Sequence, residues 1–148
     1  MYRPLLKLFT DGGARPNPGH GGAGAVLFHD EKIVSEISRY LGSHVTNNVA
    51  EYQAFIFGLK ATKHYLTSQQ PALGLTTPVQ AFLDSNLVVN QVNGAWKVKE
   101  ESLRPYFAEA SFLMKEFGNL SVKHIRRSGN SLADALATKA INEGKLIQ

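Results

Sequence analysis

A carboxylate followed by two glycines, directly after an apolar run, is the feature that most restricts how this chain can fold. The run ends at Phe9, and Asp11, Gly12 and Gly13 follow at once. It predicts a buried strand over residues 4–10 that presents Asp11 at its end. A carboxylate there is costly to bury unless it is paired or holds a metal. Because Asp-Gly is also a strong hairpin signal, a simple turn is the alternative interpretation.

The composition is that of a globular chain of 148 residues, 43% of them hydrophobic. No apolar run reaches the length of a membrane span, and the N-terminus lacks a signal pattern. The absence of cysteine excludes disulfides, thiolate metal sites and cysteine nucleophiles. We expect a cytoplasmic monomer, one domain over residues 1–148, with no membrane contact and no obligate protein partner. The net charge of +4 favours a polyanionic partner.

Hydrophobic periodicity predicts an α/β fold with the element order β-β-β-α-β-α-α-β-α. Residues 4–10, 21–28 and 33–40 form three early strands in an antiparallel meander. A helix over residues 48–67 follows, and Asn48 to Glu51 have the spacing of a capping box. The remaining elements are strands over residues 79–83 and 120–125 and helices over residues 87–92, 102–117 and about 131–143.

Four acidic residues occupy similar positions in these elements. Asp11 and Asp84 each end an apolar strand, whereas Glu51 and Asp134 each lie in the first turn of a predicted helix. Each has an ordinary explanation: Asp11 as a turn residue, Asp84 as a helix cap. The two helix acids would then only favour the helix dipole, by about 0.3–1 kcal/mol each.

The same acids become a metal site if the strands that bear two of them are neighbours. Their carboxylates would then meet at one edge of the sheet, and the helix starts could add the others. Only divalent cations make such a cluster tolerable, and all-oxygen ligands suit Mg²⁺ or Mn²⁺. Two such ions about 4 Å apart promote in-line displacement at phosphorus.

Four segments together resemble the motifs of type 1 ribonucleases H, in the same order and over nearly the whole chain. They are F-T-D-G-G-A-R-P-N-P-G, T-N-N-V-A-E-Y, F-L-D-S-N and N-S-L-A-D-A-L-A. The resemblance implies a ribonuclease H-like fold: a five-stranded mixed sheet, its first three strands antiparallel, with helices on both faces. It implies an endonuclease that hydrolyses the RNA strand of RNA/DNA hybrids with two Mg²⁺ ions, for which Mn²⁺ can substitute. The products carry 5′-phosphate and 3′-hydroxyl ends. The four metal-binding catalytic acids of the family match Asp11, Glu51, Asp84 and Asp134.

The substrate contacts of the family fall mostly on neutral polar residues of this chain. Amides and hydroxyls can bond base edges, phosphates and the 2′-hydroxyl, although the same residue types are common in turns and helix caps. Trp96, beside Lys97 and Lys99, could stack on a sugar and neutralise phosphates, or could be a core tryptophan. The predicted substrate-binding residues are Gly12, Asn17, Thr46, Asn47, Asn48, Asn86, Trp96 and Arg127.

Two segments depart from the family pattern. Many bacterial members carry a mobile loop with a histidine before the last helix, whereas here the connection over residues 123–130 is shorter. His124 lies within a predicted strand, so Arg126 or Arg127 is the better candidate to meet substrate there. Larger relatives also insert a basic, tryptophan-rich handle, of which only residues 94–99 remain. We therefore expect weaker hybrid affinity with the chemistry retained.

Two other classes of function fit the sequence less well than a hybrid nuclease. A nucleic-acid-binding module or inactive homologue could share the fold, but a pure binder gains nothing from carboxylates that face phosphates. A different two-metal nuclease, such as an exonuclease, usually carries Asp-x-Glu on its first strand. Here Gly12 and Gly13 follow Asp11, so the first strand lacks the Asp-x-Glu pattern.

Overall fold

The computed structural model describes residues 2–147, which form a five-stranded mixed sheet with helices on both faces. The strands are β1 (Leu6–Arg15), β2 (Gly19–His29), β3 (Lys32–Val45), β4 (Val79–Leu83) and β5 (Leu120–His124). The helices are α1 (Asn47–His64), α2 (Asn86–Val92), α3 (Arg104–Met114) and α4 (Ser131–Ile147). A π-helical turn, Tyr65–Gln69, continues α1, and 3₁₀ turns at Glu101–Leu103 and Arg127–Gly129 precede α3 and α4. Within residues 2–147, no helix combines the length and the apolar character that crossing a membrane requires.

The sheet has the strand order β3-β2-β1-β4-β5, which places β1 at its centre. The first three strands are antiparallel, whereas β4 and β5 run parallel to β1. The predicted mixed sheet is therefore confirmed. In the parallel pair of β1 and β4, Thr10 lies opposite Leu83. Asp11 follows Thr10 in the chain and Asp84 follows Leu83, so this pairing brings the two acids side by side.

Strand β1 is longer than predicted, and the turn interpretation of Asp11 and Gly12 is wrong. Pairing with β2 continues to Arg15 opposite His20, with Asp11 opposite Gly24. Asp11 therefore lies within the strand and not at its end. The extension carries glycine and alanine, so it lacks the apolar alternation that marks the first half. Strands β2 and β3 also run beyond the predicted ranges.

Helices α1 and α4 pack closely on opposite faces of the sheet because glycine faces each of them. A Cβ atom at Gly12 of β1 would overlap the carbonyl oxygen of Ala50 in α1. On the other face, a Cβ atom at Gly24 of β2 would overlap the carbonyl oxygen of Ala133 in α4. The main hydrophobic core lies on the α1 side. Its largest fully buried side chains include Leu6, Leu8, Tyr52, Phe55, Leu59, Leu66, Leu83 and Leu103.

The N-cap of α1 is Thr46 and not Asn48, so the predicted capping box is wrong. Thr46 has an extended backbone, and its Oγ1 accepts a hydrogen bond from the Val49 amide at 3.2 Å. Glu51 consequently lies in the second turn of the helix. Its carboxylate accepts a hydrogen bond from the Gly12 amide at 3.0 Å and is thereby held against β1.

Replacing Gly24 by alanine should lower the free energy of unfolding by about 1–3 kcal/mol, the usual penalty for overpacking. The new Cβ would overlap the Ala133 carbonyl oxygen and lie 2.7 Å from the Ala137 nitrogen, so α4 must move away from β2. Urea denaturation measures the change. Gly129→Ala is the matched control, because a Cβ there meets only Ile125 Cδ1, at 3.9 Å. Equal denaturation midpoints for the two variants would contradict this account of the packing.

Candidate active site

Three carboxylates from three different elements converge beside the end of β4. Asp11 comes from β1, Glu51 from α1, and Asp84 directly follows β4; one oxygen of each lies within 4.8 Å of the others. Asp11 and Glu51 are only 5% and 9% exposed. Strand β4 ends at Leu83 while β1 continues, which leaves an opening beside the second half of β1. The carboxylates gather at this opening.

Asp134, the fourth predicted acid, lies in the first turn of α4, as predicted. It approaches Asp11 closely enough for the two carboxyl groups to share a hydrogen bond. The fourth acid therefore borders the cluster and interacts with it through Asp11.

Burial and mutual repulsion raise the pKa of two of the acids. Burial raises the pKa of Asp11 to about 8, with further increases from the Asp84 charge and from Asp134, while Arg127 lowers it. The pKa of Glu51 is raised well above its usual range, first by burial and then by the charges of Asp11 and Asp84. Without a cation, the cluster retains protons near neutral pH. An oxygen-only donor set with this excess of negative charge can hold a divalent cation.

Asn130 contacts the cluster through a hydrogen bond to Asp84, a role that the sequence did not indicate. Only 1% of the residue is exposed. Its Nδ2 donates hydrogen bonds to the Thr10 carbonyl oxygen at 2.8 Å and to Asp84 Oδ2 at 3.0 Å. Asn130 directly precedes α4, yet the hydrogen bonds of its side-chain amide go to β1 and to Asp84. Asparagine is common just before helices as a cap, so its position in the sequence gives no sign of such a tertiary role.

The loop between β1 and β2 is fixed to the start of α1 by two of the predicted substrate-binding residues. Asn17 Oδ1 accepts a hydrogen bond from the Asn47 amide at 3.0 Å, and Asn47 Oδ1 accepts one from the Ala14 amide at 2.8 Å. The Gly12 amide is likewise engaged, by Glu51. These groups shape the site, and their contact with substrate stays a prediction.

A cavity of about 320 Å³ is lined by three of the four acids, Asp11, Glu51 and Asp134. Arg127, at the beginning of the turn before α4, lies in its wall and is exposed. Arg15, which the sequence did not single out, is also exposed there, and its Nη2 donates to Thr138 Oγ1 at 3.1 Å. The cavity thus has cations at its rim and carboxylates at its base. Its lining comprises Asp11, Gly12, Gly13, Ala14, Arg15, Asn47, Asn48, Glu51, Arg127, Asp134, Ala137, Thr138 and Ile141.

A second cavity, of about 400 Å³, adjoins α2 and contains Trp96. Trp96 is 47% exposed, so the interpretation as a core tryptophan is wrong. Asn48 lines both cavities and links them. The second lining comprises Asn48, Leu87, Gln91, Trp96, Lys97, Lys99, Glu100 and Leu103.

Helix α2 starts beside the acids and carries one predicted substrate-binding residue, Asn86. The cap of this helix is Ser85, whose Oγ accepts from the Val88 amide at 3.2 Å, so the alternative role of Asp84 as a cap is wrong. Asn86 is exposed, although its Oδ1 accepts a hydrogen bond from Asn90 Nδ2 at 2.9 Å. Asp84 is left available to the cluster.

His124 and Arg126 flank the site without lining its cavity. His124 is the last residue of β5, as its predicted strand position implied, and it is exposed. Its Nε2 lies 3.2 Å from the Asp84 carbonyl oxygen, which can only accept, so Nε2 carries the hydrogen. Arg126 is exposed and precedes the 3₁₀ turn. Of these three residues, only Arg127 borders the acid cavity.

Comparison with known proteins identifies the family. A family model described as reverse transcriptase-like matches residues 9–140. Ribonuclease HI of Halobacterium salinarum is 35% identical over 136 residues, which cover 91% of this chain and 63% of that protein. The chain belongs to the type 1 ribonuclease H family. The bifunctional protein Rv2228c of Mycobacterium tuberculosis is 37% identical over 134 residues, 90% of this chain and 34% of that protein. The chain therefore spans about a third of the length of this mycobacterial relative.

Solved ribonuclease H structures agree with this fold. The crystal structure of RNase H1 from Halobacterium salinarum superposes with a TM-score of 0.82 at 34% identity, over 94% of this chain and 98% of that one. LC11-RNase H1, isolated from compost, was solved in complex with an RNA/DNA hybrid. It superposes with a TM-score of 0.84 at 36% identity, over 94% of this chain and 98% of that one.

In the absence of divalent cations, the protein should lose stability as the pH rises toward 8. Asp11 has a pKa of about 8 in the folded protein, against an ordinary value of 3.8. The folded state therefore binds more protons than the unfolded chain between these values, and the free energy of unfolding falls with rising pH. Asp11→Asn should flatten this dependence and raise the metal-free Tm at pH 8 by at least about 2–4 °C. Thermal unfolding in EDTA measures both effects.

Glu36→Gln serves as the control for this prediction, because Glu36 is an exposed acid of β3. It should leave the pH dependence unchanged. A wild-type Tm that does not fall more steeply than that of Asp11→Asn over this pH range would contradict the electrostatic account.

Proposed function

We propose that this chain is a metal-dependent endonuclease that hydrolyses the RNA strand of RNA/DNA hybrids and leaves 5′-phosphate and 3′-hydroxyl ends. The observation that carries the proposal is the convergence of Asp11, Glu51 and Asp84 within 4.8 Å in a member of this family. The hybrid bound to LC11-RNase H1, a structural relative over 94% of this chain, supports the choice of substrate. All four acids come from one chain, so the site needs no residue from a second copy, which supports the proposal of a monomer without an obligate protein partner.

The acids fit Mg²⁺, and Mn²⁺ as a substitute. Asp11, Glu51 and Asp84 would hold two ions together with Asp134, which lies beside Asp11. The raised pKa values of Asp11 and Glu51 express a concentration of negative charge that a cation would relieve. When bound, a pair of these ions supplies an activated water and stabilises the leaving oxygen.

Residues around the acids orient them and attract the phosphate. The Gly12 amide holds Glu51 at 3.0 Å, so this carboxylate cannot turn away from the cluster. Arg127 stands exposed at the rim of the acid cavity. A guanidinium there would bind a phosphate oxygen next to the scissile bond, with two N–H donors facing one phosphate group.

The remaining polar residues would bind the two strands of the hybrid. Asn48 borders both cavities, so a duplex that places its RNA strand over the acids can extend toward Trp96. Trp96 would stack on a sugar of the DNA strand, while Lys97 and Lys99 neutralise its phosphates. The neutral side chains bind groups that include the 2′-hydroxyl, by which RNA differs from DNA. They are Asn17, Thr46, Asn47, Asn48 and Asn86.

The acid cluster argues against a module that only binds nucleic acid. Close carboxylates repel one another and phosphates, and Asp11 and Glu51 are buried at an electrostatic cost. Binding alone gains nothing from this cost, whereas metal-assisted hydrolysis requires the charge. A different two-metal nuclease would usually take its second acid from the first strand. Here the second acid, Glu51, comes from α1.

Purified protein with Mg²⁺ should cleave the RNA strand of a labelled RNA/DNA duplex and leave a DNA/DNA duplex intact. Asp11→Asn should lower kcat at least about a hundredfold, because the loss of a direct ligand exceeds the effect of losing an outer partner. Gel electrophoresis of labelled duplexes measures both, and circular dichroism verifies the fold of the variant.

The exposed acid Glu36, outside both cavities, provides the matched control. Glu36→Gln removes one negative charge and should retain wild-type turnover. Equal turnover by Asp11→Asn would refute the assignment of the acids. Comparable cutting of plain DNA duplexes would favour the other class of two-metal nuclease.

Trp96→Ala should raise KM for the hybrid about fivefold or more, while kcat stays unchanged. Aromatic stacking on a base contributes about 1–3 kcal/mol, and a sugar contact at the lower end of this range corresponds to about fivefold in affinity. Trp96→Phe, which keeps a ring, should recover most of the affinity. Phe112→Ala is the control, since Phe112 is a 69% exposed aromatic residue of α3 outside both cavities. Steady-state kinetics with labelled hybrid distinguish the variants, and an unchanged KM for Trp96→Ala would remove this residue from the interface.

A further inference from the structure

We propose that Asn130 is a positioning residue that fixes Asp84 in the orientation required to hold a metal ion. The inference rests on the proposed function and adds to it a residue that does not touch substrate. Its basis is the double hydrogen bond of the Asn130 amide to the Thr10 carbonyl and to Asp84 Oδ2.

The chemistry of the two partners determines which way the amide group faces. The Thr10 carbonyl oxygen and Asp84 Oδ2 both accept hydrogen bonds, at 2.8 and 3.0 Å from Nδ2. Only the NH₂ end of the amide can satisfy two acceptors, so Asn130 Oδ1 must point away from them. Oδ1 is buried without a hydrogen-bond partner among the described residues. The protein tolerates that unsatisfied oxygen to keep both donors on the sheet and on Asp84.

The hydrogen bonds of Asn130 reach the chain segments that carry three of the four acids. Its side chain binds Thr10, the residue before Asp11 in β1, and reaches Asp84 after β4. Its main-chain carbonyl accepts the amide of Asp134 at 3.0 Å. A single residue therefore sets the spacing between the sheet acids and the start of α4, while Glu51 is held separately by Gly12.

Without this donor, the Asp84 carboxylate would lose its hydrogen bond to Nδ2 and could rotate away from the other carboxylates. Asp84 directly follows β4 and precedes the cap residue of α2, so no strand pairing fixes its side chain. Repulsion from Asp11 and Glu51 would drive the rotation. Loss of an outer partner of a metal ligand typically weakens metal affinity or activity about 10–100-fold. We expect Asn130→Ala to fall in this range.

The test compares Mg²⁺ binding and hybrid cleavage in wild type and Asn130→Ala. Calorimetric titration of the free protein with Mg²⁺ should give affinity weakened at least about tenfold. In cleavage assays, the half-saturating Mg²⁺ concentration should rise by a similar factor while KM for the hybrid stays unchanged. A purely structural role would instead lower Tm and leave the Mg²⁺ affinity of the folded protein at the wild-type value, which would overturn the proposal.

Two further variants keep the result decisive. Asn93→Ala is the matched control, because Asn93 Nδ2 also donates to a strand carbonyl, that of Val122 at 2.9 Å, but lies apart from the acids. It should lower stability and leave Mg²⁺ affinity unchanged. Asn130→Asp is the second variant, for use if Asn130→Ala does not fold. The aspartate side chain has the same size as that of asparagine and leaves no cavity. It replaces the donor with a carboxylate facing two acceptors, so kcat should fall at least about tenfold at saturating Mg²⁺. Wild-type kcat and Mg²⁺ requirement in Asn130→Asp would overturn the proposal.

The wild-type measurements separate this inference from the proposed function. Wild-type protein that neither binds Mg²⁺ nor cleaves the hybrid would refute the function itself. Active wild type with equally active Asn130 variants would refute only the positioning role.

Discussion

The whole site depends on one geometric constraint, the point at which strand β4 ends while its parallel neighbour β1 continues. Strand β4 ends at Leu83, whereas β1 continues to Arg15. Beyond this point the side of β1 that faced β4 has lost its strand partner, and the Gly12 amide donates to Glu51 of α1 instead. Three carboxylates meet at this opening: Asp11 from β1, Asp84 from the loop after β4 and Glu51 from α1. A longer β4 would fill it with main-chain hydrogen bonds and leave no room for the acids.

The cluster is stabilised by its surroundings and not by its own interactions. Burial and mutual repulsion raise the pKa of Asp11 and Glu51, so the charged cluster opposes folding. The hydrophobic core on the α1 side supplies the compensating free energy. Glycine at positions 12 and 24 lets α1 and α4 approach the sheet closely enough to deliver Glu51 and Asp134. Packing thus enforces a charge arrangement that is unfavourable until a cation binds.

The sequence predicted the parts of this arrangement that follow from periodicity. Apolar alternation located the strands, and the condition on which the acid cluster depends, that the strands bearing Asp11 and Asp84 are neighbours, is met by β1 and β4. It failed where small residues erase the alternation, so β1 was predicted to end before Asp11. In the run of Thr46 and two asparagines, three good capping residues stand in a row, and only backbone geometry selects Thr46. The tertiary hydrogen bonds of Asn130 have no local sequence pattern at all.

The short segment between α2 and α3 indicates how the protein can present an aromatic residue without a handle. The Asn90 carbonyl accepts hydrogen bonds from the amides of Ala95 at 2.8 Å and Trp96 at 3.1 Å. These bonds fix the segment to the end of α2, whose start adjoins Asp84. The main chain at Trp96 is therefore held in a defined relation to Asp84 by a single short helix. Since the position of Trp96 depends on main-chain bonds, the proposed DNA contact needs no additional secondary structure, only the side chains that follow Gly94.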